Sequence, residues 1–239
     1  MKKIAKPIME LSNISRSDRK STIERLTLSV PDGDSYGVLC KSESNITLLT
    51  EILSGRISPK KGKVFFKGDD VTGVKNVFGV VQKEPSAPKR KTVAEAAAAS
   101  IVKRGLPREL AGVLVKKELA SLGLSELGEK KFSELSALDA AKAQIFCAYM
   151  CSHEFMAIHE PFSELSEGER DQAAEWLTEL KTSAKMSLLT FTQDIPLAMK
   201  LSDYVMVADK NTSSAGIIAI EKGKEDLARQ RLEELFAGV

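Results

Sequence analysis

An α/β chain, in which βαβ units are interrupted by a block of helices, is the fold this sequence predicts. Three observations carry that expectation. Short apolar, β-branched stretches bounded by turn residues crowd the first third of the chain; from Thr92 to about Ser152 the patterning becomes helical; beyond Ser152 strand-like and helix-length segments alternate.

In chain order, strands are predicted at residues 8–14, 23–30, 36–40, 63–67 and 77–81, then at 155–158, 187–191, 204–208 and 216–220. Pro31-Asp32-Gly33-Asp34 splits the second strand from the third, and Lys60-Lys61-Gly62 and Lys67-Gly68-Asp69 mark two further turns. Thr92-Val93-Ala94-Glu95 is a capping box, in which hydroxyl and carboxylate each satisfy an amide of the first helical turn. It opens the alanine-rich run at 96–102. Pro107 stands near the first position of the next helix, with Leu110, Leu114 and Leu119 expected on one apolar face and Gly123 closing it. A helix at 171–181 carries Trp176, expected to pack, and a final helix at 225–236 is expected to bury Leu227, Leu232, Leu235 and Phe236. This divides the chain into an α/β core (1–84 and 153–222), an α-helical subdomain (85–152) and a C-terminal helix (223–239).

Composition narrows the class. Over 239 residues, 43% hydrophobic and 28% charged, with 15 Gly and 8 Pro, the chain is neither collagenous nor low-complexity. Thirty-five Lys and Arg against 33 Asp and Glu leave a formal charge of +2, too near balance to predict a nucleic-acid partner. No apolar run follows the basic start and none is long enough to span a bilayer, so neither a signal peptide nor a membrane span is expected. Cys40, Cys147 and Cys151 make no even disulfide framework, and a reducing cytoplasm is the expected location.

The order of short landmarks then says more than any one of them. These are Asp32-Gly33-Asp34-Ser35-Tyr36-Gly37-Val38-Leu39 with Leu48-Leu49 and Leu53-Ser54-Gly55; Gly79-Val80-Val81-Gln82; Leu122-Gly123-Leu124; Phe132-Ser133-Glu134-Leu135-Ser136; Glu160-Pro161-Phe162-Ser163-Glu164-Leu165; and Leu201-Ser202-Asp203-Tyr204-Val205-Met206-Val207. In this order the chain resembles the nucleotide-binding subunit of ATP-binding cassette (ABC) proteins over residues 8–222. The resemblance implies a P-loop NTPase core of the ABC type with an antiparallel β edge and an α-helical subdomain.

It also implies where the chemistry should lie. A phosphate loop presents backbone amides, which needs glycine, and a lysine that meets the β- and γ-phosphates. Against the family form G-x-x-G-x-G-K-[ST] this chain reads Cys40-Lys41-Ser42-Glu43-Ser44-Asn45-Ile46-Thr47. Cys40, Glu43 and Asn45 fill the glycine positions and Ile46 the lysine position; only Thr47, matching the magnesium-holding hydroxyl, is kept. Glu43 or Lys41 is expected to fill the space a phosphate would take. By the same resemblance Glu160 matches the general base, His159 stands where an aspartate orients magnesium, and Gln193 replaces the switch histidine. The signature L-S-G-G-Q appears as Leu135-Ser136-Ala137-Leu138-Asp139, keeping Ser136 and losing its glycines to Ala137 and Leu138. Ser166 replaces a loop aspartate, and the stretch around Ser17 lacks the adenine-stacking aromatic; Gln82 and Ser163 are kept. Thr47, Gln82, Ser136 and Glu160 are thus read as vestigial.

Cys147 and Cys151 at helical i, i+4 spacing, with His153 and His159 downstream, raise a metal reading; their apolar neighbours Tyr149 and Met150 favour core packing, and no metal site is expected. Lys83, Lys89, Arg90 and Lys91 are expected to be solvated surface, and Arg16, Arg19 and Lys20 to be turn charges. The function expected is that of a degenerate ABC subunit. It would hold no cofactor alone, with ATP and Mg²⁺ bound only in company with a competent ABC ATPase in a homo- or heterodimer. An integral membrane permease is a further partner, reached from the inner face of the membrane. Two alternatives stand beside it: an ABC-shaped scaffold of a soluble assembly or enzyme-activation complex, and an active ATPase with an atypical loop.

Overall fold

In a computed structural model of the chain the described residues are 6–83, 89–209 and 213–239. Ten strands and seven helices longer than a single turn are described. The strands are β1 (Pro7–Ser17), β2 (Thr22–Pro31), β3 (Ser35–Cys40), β4 (Lys61–Phe66), β5 (Asp69–Asp70), β6 (Gly79–Val81), β7 (Phe155–His159), β8 (Ser187–Thr192), β9 (Tyr204–Ala208) and β10 (Ser214–Ala219). The helices are α1 (Glu43–Leu53), α2 (Val93–Val102), α3 (Arg108–Ser121), α4 (Ala137–Tyr149), α5 (Glu167–Ala184), α6 (Ile195–Leu201) and α7 (Glu225–Ala237).

All nine strands read from the sequence are present, joined by the two-residue β5 that closes a turn at Lys67-Gly68. They separate into two sheets. β2-β1-β4-β5 is antiparallel throughout. The other, ordered β10-β9-β3-β8-β7-β6, is parallel from β9 to β6, with β10 antiparallel at its edge. Strands buried on both faces need not alternate, which is why 155–158 is a continuous apolar run and 187–191 interrupts its apolar residues only with the small polar Ser187 and Thr190. Their side chains still alternate between two cores. Phe155, Ala157, Leu189 and Phe191 face a cluster with α1 and the antiparallel sheet, whereas Met156, Ile158 and Leu188 pack with α4 and α5. Phe66, Phe78 and Phe155 interlock at the first interface, with ring centroids 5.0–6.3 Å apart. At the second, α4 comes so close to β6 that a Cβ on Gly79 would sit 2.3 Å from the Ala148 carbonyl oxygen.

The capping box forms as expected: Glu95 N donates to Thr92 Oγ1 and Thr92 N to Glu95 Oε2. Three sequence expectations are corrected. Leu110 is 56% exposed and Leu114 half-buried, because α3 turns Ala111, Val115 and Leu119 inward; the small alanine lets α3 lie close to α2. Leu227 is exposed, since α7 rests on β9 and α6 through Ala228 and Leu232. Lys61 and Gly62 belong to β4 rather than to a turn, Gly62 lying against the irregular stretch of β1. The helix around Trp176 is also longer than expected, and Trp176 packs half-buried under Lys142.

Candidate functional site

In open α/β sheets the crevice outside the carboxyl ends of the parallel strands collects ligands where the strand order reverses. Here β3 lies between β8 and β9, so the ends of β3, β8 and β7 (Cys40, Thr192 and His159) border that crevice. Hydrogen bonds stitch these ends together. Glu160, in the left-handed region at φ +43, donates its amide to Phe191 O and accepts Gln193 N on its carboxylate at 2.6 Å. The Gln193 side chain then donates to Lys41 O at 3.2 Å. A carboxylate so held by a main-chain amide is a structural clasp between β7 and β8.

The turn from β3 into α1 is two residues long, Lys41 and Ser42. Ser42 caps the helix, and both Asn45 N and Ile46 N donate to Ser42 O at 3.1 Å. Starting the helix at Glu43 fixes the directions of all later side chains. Asn45 and Ile46 fall on the inner face: Asn45 accepts Thr22 N at 2.7 Å, and Ile46, 1% exposed, packs with Leu28, Val38, Leu49 and Phe191. Ser21 Oγ and Ser44 Oγ cross-link the β1–β2 turn to the start of α1, Ser21 donating to Ser44 O and Ser44 to Lys20 O. Thr47 is left exposed on the helix.

Charge around the crevice is internally matched. Lys83 Nζ lies 2.8 Å from Glu43 Oε1, a bond that holds the Glu43 carboxyl below its ordinary range and the Lys83 ammonium above its own. Glu160 and Glu164 add to the field at Lys83. His159, 2% exposed, has its pKa pulled down to about 4 by burial, and its Nε2 has no hydrogen-bond partner among the described residues. Lys41 turns away from the crevice: its ammonium donates to the main-chain oxygens of Ala237 and Val239 and lies 5.3 Å from the Phe236 ring centre.

Lys41, Glu43, Lys83, His159, Glu160 and Gln193 are thus one linked group. Gln82 stands beside it at the end of β6, accepting Arg56 Nη1 at 2.7 Å. Ser136 is the N-cap of α4, accepting Asp139 N at 3.1 Å, with Ala137 and Leu138 in the first turn behind it. Ser166 caps α5 with Glu169, and Ser163 N bonds Glu160 O. Sequence reading places Lys83 on the solvated surface and misses Arg56; neither position carries a local signal, because their partners lie 40 and 26 residues away. Lys89, Arg90 and Lys91 are exposed as expected, and Lys91 also borders a cleft of ≈460 Å³ with Arg56, Gln82, Phe132, Cys147 and Cys151. His153 stacks on Tyr149, and among the described residues no group of three or more His, Cys, Asp or Glu could hold a metal. The 84–88 part of the expected helical subdomain lies outside the described residues.

A three-layer α/β core with this crevice, and landmarks in this order around it, defines a nucleotide-binding cassette fold. The chain belongs to the ABC transporter family, whose model matches residues 23–163, more than half of its length. Among its relatives, the molybdate/tungstate import ATP-binding protein WtpC of Pyrococcus horikoshii is 24% identical over 201 residues, 83% of this chain and 58% of that protein. The Fe(3+) ions import ATP-binding protein FbpC of Escherichia coli K12 is 24% identical over 97% of this chain and 66% of its own length. The taurine import ATP-binding protein TauB of Pseudomonas aeruginosa is 24% identical over 87% and 80%. The chain therefore spans under two thirds of the length of WtpC and FbpC. A solved nucleotide-free ATP-binding cassette from an ABC transporter superposes with TM-score 0.76 at 19% identity, covering 96% of this chain and 98% of that one. The Clostridium perfringens component of the cbiONQ ABC transporter complex gives 0.77 at 16%, covering 97% and 98%. Among the described residues no helix is long and apolar enough to cross a membrane.

Proposed function

We propose that this chain is a degenerate ABC subunit that does not hydrolyse ATP alone and serves as the structural and regulatory partner of a competent ABC ATPase. The observation that carries this reading is the two-residue β3–α1 turn. Amides that would have to converge on phosphate oxygens are spent inside α1, and the position that would supply a cation is Ile46, buried in the core. The residues do not fit a magnesium triphosphate: Glu43 adds a negative charge at the turn, already neutralised by Lys83, and His159 at about 4 is neutral at physiological pH. Several kcal/mol of charge-assisted phosphate bonding, about 1.5–3 kcal/mol per bond, is absent at such a turn. Thr47, Gln82, Ser136 and Glu160 then stand as remnants, with Ser136 and Glu160 occupied as a helix cap and a strand clasp.

In this reading ATP and Mg²⁺ bind in the partner, closure of the pair moves whatever is docked, and this chain supplies shape. The import names borne by relatives support an integral membrane permease as the docked protein, with the chain peripheral at the inner membrane face. The cleft beside Gln82 is where that docking is proposed. Steady-state ATP hydrolysis tests the core of the reading: purified chain and its Glu160→Gln variant should both match the protein-free blank. Magnesium-dependent turnover that disappears in Glu160→Gln would overturn it.

A further inference from the structure

We propose that the cleft between β6 and the helical subdomain binds a small organic anion with an apolar body, of the class of fatty or aromatic carboxylates. The cleft holds ≈460 Å³, within the roughly 300–1,000 Å³ of sites that take small molecules. It stays open because its walls carry small side chains. α2 turns Val93, Ala97 and Ile101 into the core, which leaves Ala96, Ala99 and Ser100 on the cleft, and α4 adds Cys147 and Ala148. Phe78, Val80 and Phe132 complete an apolar lining, in which the thiols behave as small hydrophobes.

Charge in the cleft has one sign. Arg56, Lys75, Lys91 and Lys103 line it, and among the described residues no carboxylate does. Lys75, Lys91 and Lys103 enter none of the ion pairs formed among those residues. Glu95, the acid nearest Lys91 in sequence, holds its carboxylate on Thr92 N at 3.0 Å. The cleft also contains an unmet donor. Gln82 Oε1 accepts Arg56 Nη1 at 2.7 Å, which fixes the amide, and Gln82 Nε2 is buried with no acceptor among the described residues. A ligand that expels water from such a wall must bring an acceptor for that N–H. Carboxylate oxygens supply it and match the ammonium groups, while a hydrocarbon body covers the alanine, thiol and phenyl surfaces. A bare phosphate would match the charge and leave the apolar walls wet; a cationic amphiphile would cover the walls and meet like charge. Permease docking is proposed at this same cleft, so a bound anion and a docked permease exclude one another. That consequence rests on the docking reading, whereas binding of the anion does not.

The test follows fluorescence of anilinonaphthalene sulfonate, an anionic head on an aromatic body, and its displacement by decanoate, by decyltrimethylammonium and by inorganic phosphate. The proteins are the full chain, Lys91→Glu with Lys103→Glu, Ala99→Leu, and Lys116→Glu with Lys117→Glu. The first variant inverts charge at the cleft, the second fills its space without touching charge, and the third makes the same charge change on exposed α3 positions. The expected result is saturable binding reversed by decanoate and not by the other two compounds. It should weaken about tenfold or more in the cleft charge pair and in Ala99→Leu, and stay unchanged in the α3 pair, with melting temperatures equal throughout. Absence of saturable binding, equal displacement by decyltrimethylammonium or by phosphate, or binding that neither cleft variant weakens overturns the proposal. No second protein enters the experiment, so its failure leaves the docking reading standing, and failure of docking leaves this result standing.

Discussion

Replacing Ile46 by Lys restores the residue type that the family form carries at that position, and the geometry of α1 sets the cost. Ile46 is 1% exposed and packs between Leu28, Val38, Leu49 and Phe191, whereas Thr47, about 100° further round the helix, is exposed. Removing a buried aliphatic side chain costs about 2–5 kcal/mol through lost transfer energy and the cavity left. The lysine stem refills part of that space, but its ammonium must reach solvent past the first turn of α1 or remain uncompensated. A net loss of about 3 kcal/mol is therefore expected, a fall of roughly 6–12 °C in melting temperature for a domain of this size. Ile46→Val, which deletes one methylene and brings no charge, should lose only about 1 kcal/mol. The assay is thermal and urea unfolding of the three proteins, then titration of each with ATP and Mg²⁺. Ile46→Lys that is as stable as the parent and gains nucleotide affinity would show that position 46 faces a phosphate site, and would refute its place in the core.

Further perturbations probe separate parts of the fold. His159 is neutral in the fold with a pKa of about 4 against 6.5 for a free imidazole, so the unfolded chain takes up the proton first. Its contribution is complete above about pH 6.5 and drains away as pH falls towards 4; melting measured at about pH 7.5 and about pH 5 should drop further for the parent than for His159→Gln. Gly79→Ala should cost about 1–3 kcal/mol, because the new methyl meets main chain of α4 that cannot swing aside; an unchanged unfolding midpoint would refute the close approach. The Cys147 thiol borders the cleft but is pushed up to about 12 by burial, so at about pH 8 it should react with dithionitrobenzoate more slowly in the native protein than after unfolding; equal rates would refute the shift. Lys41→Ala should accelerate amide exchange in the last turn of α7, where Phe236 and the oxygens of Ala237 and Val239 lose their cation; equal exchange would show that the contact holds nothing.

Much of the fold is legible in the sequence because its causes are local. Runs such as 155–158 are apolar at every position because both faces are covered, and the Thr92–Glu95 capping box is a four-residue device. The family order likewise survives in short phrases. The illegible parts depend on partners far away in sequence. Nothing around Leu110 reveals that α3 would turn Ala111 and Val115 inward, since an apolar stripe of leucines suits either rotation until α2 is in place. The candidate site divides in the same way. The loss of glycine and lysine from 40–47 is visible in the letters, whereas the consequence is not: Glu43 finds Lys83, Lys41 finds the end of α7, and Glu160 closes on Gln193. The charges Arg16, Arg19 and Lys20 read as ordinary turn residues until the sheet brings Arg25, Lys60 and Lys61 beside Arg16.

For a degenerate subunit, the turn at Lys41 and Ser42 must offer no seat to a triphosphate when the chain is alone. Calorimetric titration with ATP and Mg²⁺, repeated on Glu160→Gln to prevent turnover, tests this most directly. No binding heat is expected at millimolar nucleotide for either protein. Saturable binding at micromolar nucleotide would contradict the proposal and return the Cys40–Thr47 stretch to the status of a working phosphate loop.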